Sequence, residues 1–127
     1  RNLYLFNIFD CEDVQIENNK FNNVKRGGVI GRQTDNIKNI INVNILNNYF
    51  EGNPDTEFVS VFRGSDKVSI RYNSFKYNGS YSTQKSFIKC WENENLFIEN
   101  NNYNNRIGFI KGQGGYFKQK NNNKINN

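Results

Sequence analysis

The sequence predicts an all-β solenoid of about five stacked rungs, and three observations carry that prediction. One short phrase, apolar-x-apolar-x-x-Asn-x-aromatic, is written four times. Its copies keep a fixed phase: the central Ile recurs at Ile16, Ile45, Ile70 and Ile98, a spacing of 25 to 29 residues. Self-similarity at about 20 to 50 residues is the mark of a repeat architecture. Third, no segment shows the three-and-four spacing of an amphipathic helix, and Ala and Met, both good helix formers, are absent.

Each element follows in chain order. Leu3 to Phe9 is an apolar segment that supplies a strand ahead of the first phrase. The phrase itself (Val14, Ile16, Asn19, Phe21) reads as strand, one-residue corner, strand. Val-x-Ile puts both side chains on one face of a strand. Asn tolerates the left-handed conformation that a sharp corner needs, so an Asn two or three residues after the Ile is the expected corner residue. The aromatic two residues on points inward again. The later copies are Val43, Ile45, Asn48, Phe50; Val68, Ile70, Asn73, Phe75; and Leu96, Ile98, Asn101, Tyr103. After each comes a loop and a further apolar segment: Gly28-Val29-Ile30, Phe58 to Phe62, Phe87 to Trp91 and Gly108-Phe109-Ile110. Three short strands per unit cannot bury an apolar face alone. Stacking units at about 4.8 Å per strand can, and it aligns an Ile column, an aromatic column and an Asn column. Stacked Asn side chains can hydrogen-bond along the column as a ladder. The tail from Lys118 to Asn127 is polar and reads as a frayed end, chiefly residues 119–127, or a degenerate last rung.

These columns resemble the right-handed, single-stranded parallel β-helix of the pectate-lyase-like superfamily, including its asparagine ladder. The resemblance covers residues 3 to about 118 and makes 1–127 one β-helix domain. That superfamily includes lyases, hydrolases, esterases, phage tailspikes and adhesins, so fold alone does not select a function. Five rungs is short, and open ends expose unpaired strand edges. The expectation is a fragment of a longer chain, or a unit whose ends are covered by a partner or by end-to-end stacking of copies.

Composition narrows the chemistry. The net charge is +5, which favours acidic partners such as uronic-acid polysaccharide. Asn fills 27 of 127 positions, yet the regular apolar columns argue against a disordered Asn-rich tract. With no histidine, Ser-His-Asp and Cys-His nucleophiles and His-based zinc sites are excluded. Cys11, expected in a turn of the first rung, and Cys90, expected in a strand of the fourth, lie too many rungs apart for a bridge and are expected free. No apolar run is long enough to cross a membrane as a helix. Basic residues are not clustered with aromatics as nucleic-acid binding requires. Asn78-Gly79-Ser80 is a glycosylation sequon in a loop, and Gly112-Gln113-Gly114-Gly115 reads as a turn.

In the superfamily it resembles, polysaccharide lies across the strand that precedes the Asn-cornered pair. The corresponding face here comprises Phe58, Ser60, Phe62, Arg63, Lys89, Trp91, Glu92, Phe109 and Lys111, with Arg32 as its counterpart one rung earlier. Trp91 beside Lys89 and Arg63 would form an aromatic platform with cations, suited to a sugar ring bearing a carboxylate. Residues 47–75 also resemble the alginate lyases and chondroitinase B. That family places a catalytic Lys in a Glu-x-x-Ser-x-Lys segment. Here Glu57 and Ser60 match, Phe62 occupies the Lys position, and Arg63 follows. The family's Arg-His-Gly segment corresponds to Ile88-Lys89-Cys90-Trp91. The resemblance thus implies β-elimination with Arg63 or Lys89 as base. A different chemistry is open to Asp66 and Glu94, carboxylates expected on adjacent rungs: a retaining glycosidase pair or an oxygen site for Ca²⁺. The expected function is recognition, or lyase cleavage, of an acidic polysaccharide; the alternative is a non-catalytic β-helical shaft of a fibre, tailspike or adhesin. Either would place the protein outside the cell or on a virion surface.

Overall fold

The computed structural model describes residues 3–31, 40–91, 93–112 and 117–125. Its strands fall into three parallel five-stranded sheets. The first sheet stacks β1 (Asn7–Ile8), β4 (Gly28–Ile30), β7 (Val59–Val61), β10 (Ser86–Cys90) and β13 (Gly108–Gly112). The second stacks β2 (Cys11–Glu17), β5 (Ile40–Leu46), β8 (Ser65–Arg71), β11 (Glu94–Glu99) and β14 (Phe117–Lys120). The third stacks β3 (Lys20–Val24), β6 (Tyr49–Gly52), β9 (Ser74–Tyr77), β12 (Asn102–Asn104) and β15 (Asn123–Ile125). Each unit contributes one strand to each sheet, so the chain winds as a parallel β-solenoid of about four turns, from first rung to fifth. No helix occurs among the described residues.

The register is that of the repeated phrase. Val14 pairs with Val43, Val43 with Val68 and Val68 with Leu96, while Ile16, Ile45, Ile70 and Ile98 form a second column. Ile45, Ile70 and Ile98 are fully buried. The aromatic column stacks behind them: Phe21 and Phe50 have ring centroids 5.1 Å apart, Phe50 and Phe75 4.9 Å. Ring faces at this offset distance add attraction to the area they bury. Gly28 shows how tightly the first rung is filled, because a Cβ there would lie 2.2 Å from the Phe6 ring.

The asparagine ladder is present and runs one way. Asn19 donates its backbone N–H and its Nδ2 to Asn48 Oδ1, at 2.9 and 3.1 Å. Asn48 donates likewise to Asn73, Asn73 to Asn101, and Asn101 to Asn122. The second Nδ2 hydrogen of each inner Asn returns to the carbonyl of the preceding rung's Ile, as Asn73 does to Ile45 at 2.9 Å. Asn73 and Asn101 are buried, so these bonds satisfy amides that water cannot reach.

The corner falls two residues after each Ile, one residue before the Asn of the phrase. The left-handed residues are Asn18, Asn47, Tyr72, Asn100 and Asn121, each preceding a ladder Asn. Turning the chain there aims the next side chain inward, which the ladder requires. A second left-handed column, Asp13, Asn42, Lys67 and Asn95, bends the second sheet. Cys11 is not in a turn but opens β2, and both cysteines are free, Cys90 buried. The polar tail is the degenerate last rung through Ile125: β14 pairs with β11, β15 with β12, and Asn122 continues the ladder. Gly112 ends β13 instead of starting a turn; Gln113 to Gly115 lie outside the described residues.

Candidate functional site

Strand alternation sorts the first sheet into two sides. Ile30, Val61 and Cys90 point into the core, so Val29, Ser60, Lys89 and Lys111, which pair in register, form the outward column. Two residues further along the chain, just past the ends of β7 and β10, Phe62 and Trp91 also face out. Their rings stack at 4.1 Å between centroids, both half-buried, and the Lys89 ammonium sits 5.0 Å from the centre of the Trp91 ring. Trp is the aromatic face that best attracts a cation, and the Lys stem covers apolar surface while its head stays wet. On the rung before, Gly31 (φ +86°) precedes this pair. A Cβ there would lie 3.4 Å from the Phe62 Cβ, so the absence of a side chain leaves that side of Phe62 uncrowded.

Beside Phe62 the outer face opens into a cleft of about 300 Å³. Its walls include Tyr4, Arg26, Asp55, Glu57, Ser60 and Phe62. The Arg26 guanidinium lies over the Tyr4 ring at 3.7 Å. Ser60 donates its hydroxyl to Glu57 Oε1, which places the carboxylate at the cleft wall. The Asn53 to Glu57 segment is pinned from two sides: Asp55 N–H donates to the Lys25 carbonyl, and Lys85 Nζ donates to the Pro54 carbonyl at 3.2 Å. The cleft therefore offers aromatic faces, one guanidinium and two carboxylates on a held backbone.

The residues expected on this face divide. Phe62, Lys89 and Trp91 come together as one platform, and Lys111 extends their column, exposed. Arg63 follows Phe62 and is exposed. Phe58 and Phe109 do not belong to the face. Phe58 is fully buried and stacks on Phe87 at 5.6 Å; Phe109 stacks on Tyr103 at 4.3 Å. Both lie where the chain enters its strand, and turning inward there fills the space beside the aromatic column. Arg32 and Glu92 lie outside the described residues. Asp66 and Glu94 pair in register on adjacent rungs, and Asp66 Oδ1 accepts a hydrogen bond from Asn95 Nδ2 at 2.9 Å. Among the described residues, no three Asp, Glu, Cys or His side chains gather as a metal site would require.

Tyr4, Arg26 and Asp55 were not singled out by the sequence. They sit in loops of unequal length, outside the repeated phrase. Glu57 and Ser60 carried a signal, a Glu three residues before a Ser at a strand entry, and that spacing is the one that lets the two side chains meet. No family model, no curated protein and no solved structure matches the chain.

Proposed function

We propose that the outer face of the first sheet binds an acidic polysaccharide. The observation that carries this reading is the stacked, half-exposed Phe62–Trp91 pair with Lys89 over the Trp91 ring, continuous with a cleft of about 300 Å³. A sugar ring lies on the aromatic pair, its acid group faces Lys89 and Lys111, and the adjoining sugar enters the cleft beside Arg26 and Tyr4. Stacking on an aromatic face and contact with a cation are the two interactions a uronic-acid ring is built to make. The likeness of the repeated phrase to the pectate-lyase-like superfamily supports the same face.

Holding the glycan, without cutting it, is the favoured form of this reading. Phe62 stands where the alginate-lyase resemblance expects the catalytic Lys, and the chain has no His for that family's second segment. The test is a titration with pectate, alginate and chondroitin sulfate oligosaccharides, following Trp91 fluorescence and, in the same cuvette, the ultraviolet absorbance of an unsaturated product. Binding predicts a saturable fluorescence change, with Trp91→Ala weakening affinity about ten-fold, roughly 1.4 kcal/mol. Growing absorbance would make the protein a lyase, and Lys89→Ala against Arg63→Ala would then identify the base. No fluorescence response to any of the three glycans overturns the proposal.

A further inference from the structure

Charge is unevenly spread along the outer face of the first sheet. At the fourth and fifth rungs the outward column holds Lys89 and Lys111, paired in register. At the second and third rungs the same column is uncharged, with Val29 and Ser60. The cleft beside those two rungs carries acids. Asp55 and Glu57 stand there against one guanidinium, Arg26, so its described lining holds one negative charge in excess. Neither lysine of the column lines the cleft, and Arg63 does not line it. The Lys85 ammonium is committed elsewhere: it donates to Asn53 Oδ1, the Pro54 carbonyl and the Tyr77 hydroxyl. Lys85 therefore holds the segment that bears both acids without joining the lining.

Ionised carboxylates accept hydrogen bonds and cannot donate them. Ser60 gives its hydroxyl to Glu57, which orients that carboxylate and leaves the acidic wall in need of donors from a ligand. Sugar hydroxyls and acylated-amine N–H groups are such donors. A uronate in the same place brings a third carboxylate beside two, and like charges set together are how a site rejects a wrong partner.

We infer that the glycan this face takes alternates an acidic sugar with an uncharged one. The acidic ring lies on Phe62 and Trp91 with its carboxylate toward Lys89 and Lys111. The uncharged ring enters the cleft against Val29, Asp55 and Glu57. This inference rests on the glycan reading of the face and narrows it. Phe62 makes the two places neighbours, since it lines the cleft and also stacks on Trp91 at 4.1 Å. A homopolymer of uronic acid bears an acid on every ring and must put one in the cleft; an alternating chain need not. The preference runs against the charge of the molecule as a whole. A net charge of +5 attracts the more anionic homopolymer more strongly at long range, so selection falls to the local acids.

Titration of Trp91 fluorescence with oligosaccharides of matched length tests this. Hyaluronan alternates glucuronate with an N-acetylated amino sugar, whereas oligogalacturonate and alginate are acidic at every ring. Hyaluronan should bind about ten-fold more tightly than either homopolymer, although it carries fewer acids. The double variant Asp55→Asn, Glu57→Gln keeps an oxygen for Ser60 and removes both charges. In it the homopolymers should gain about ten-fold, with hyaluronan changing by less than about three-fold. Asp55→Asn alone, at an exposed position, should move the ratio part of the way, and circular dichroism with a thermal melt checks that both variants fold. Homopolymers that bind the parent chain as tightly as hyaluronan, or more tightly, overturn the inference and leave the glycan reading standing. A preference for hyaluronan that survives loss of both acids also overturns it, because the cleft carboxylates then select nothing. Silence with all three glycans overturns the glycan reading and this inference with it.

Discussion

At the scale of single residues, Asn73 concentrates the logic of the fold. It is 1% exposed, donates twice to Asn101, donates to the Ile45 carbonyl, and accepts from Asn48. Replacing it with Ala strands buried donors and acceptors, and denaturant unfolding should register a loss of about 1–3 kcal/mol. Its neighbour Tyr72 makes the opposite case. It holds φ +58° with a bulky side chain that is 61% exposed, at a position where the neighbouring rungs use Asn47 and Asn100. Left-handed backbone costs a residue of this kind about 1–2 kcal/mol, so Tyr72→Asn should raise stability, by up to about 1 kcal/mol in the same assay. Cys90 adds a titration. Burial raises its thiol from the usual value near 9 to about 11. The folded state thus holds this proton more tightly than the unfolded chain does. Its contribution to stability is fully present below pH 9 and is lost as pH rises through about 11. Thiol titration of the native protein near neutral pH should find Cys11 reacting readily and Cys90 only after denaturation.

At the scale of the strand, the central position of the phrase is a core position in every inner rung. Ile70 is fully buried between Ile45 and Ile98, so Ile70→Ala should cost about 2–5 kcal/mol as a cavity in a column that cannot collapse sideways. Gly28→Val tests the opposite error: it forces Phe6 out of its place, and overpacking of that kind typically costs about 1–3 kcal/mol. These elements were readable because period-two alternation reports which way a side chain points. The corner was legible only to within one residue because Asn18-Asn19 and Asn47-Asn48 are doublets, and propensity alone cannot say which Asn turns and which points inward. Tyr72-Asn73 breaks the doublet and places the corner on the first residue. The fifth rung could be read only as a frayed end or a degenerate rung, for a different reason. Gln119 and Lys124 stand at its Ile and aromatic positions, and only Phe117 and Asn122 keep the phrase.

At the scale of the molecule, the fold was legible because a solenoid repeats one decision, and four copies of the phrase report it four times. The site was less legible because it is built where the copies differ. Phe62, Lys89 and Trp91 could be named from strand alternation, but the cleft depends on loop residues, Tyr4, Arg26 and Asp55, that no periodicity marks. All sheet pairings join residues from successive rungs, so no contact of the sheets is local in sequence. Loop closure must precede reward in such a topology, and refolding from denaturant should take milliseconds to seconds, not microseconds, in stopped-flow fluorescence. The one-way run of the asparagine amides has an electrical consequence. Each C=O···H–N link polarises the next, so the column behaves as a line of aligned dipoles whose central members are reinforced from both sides and whose terminal members from one. Hydrogen exchange should sense this as a gradient along the axis: the amides of Asn48 and Asn73 exchange slowest and those of Asn19 and Asn122 fastest, with the molecule opening from its tips inward.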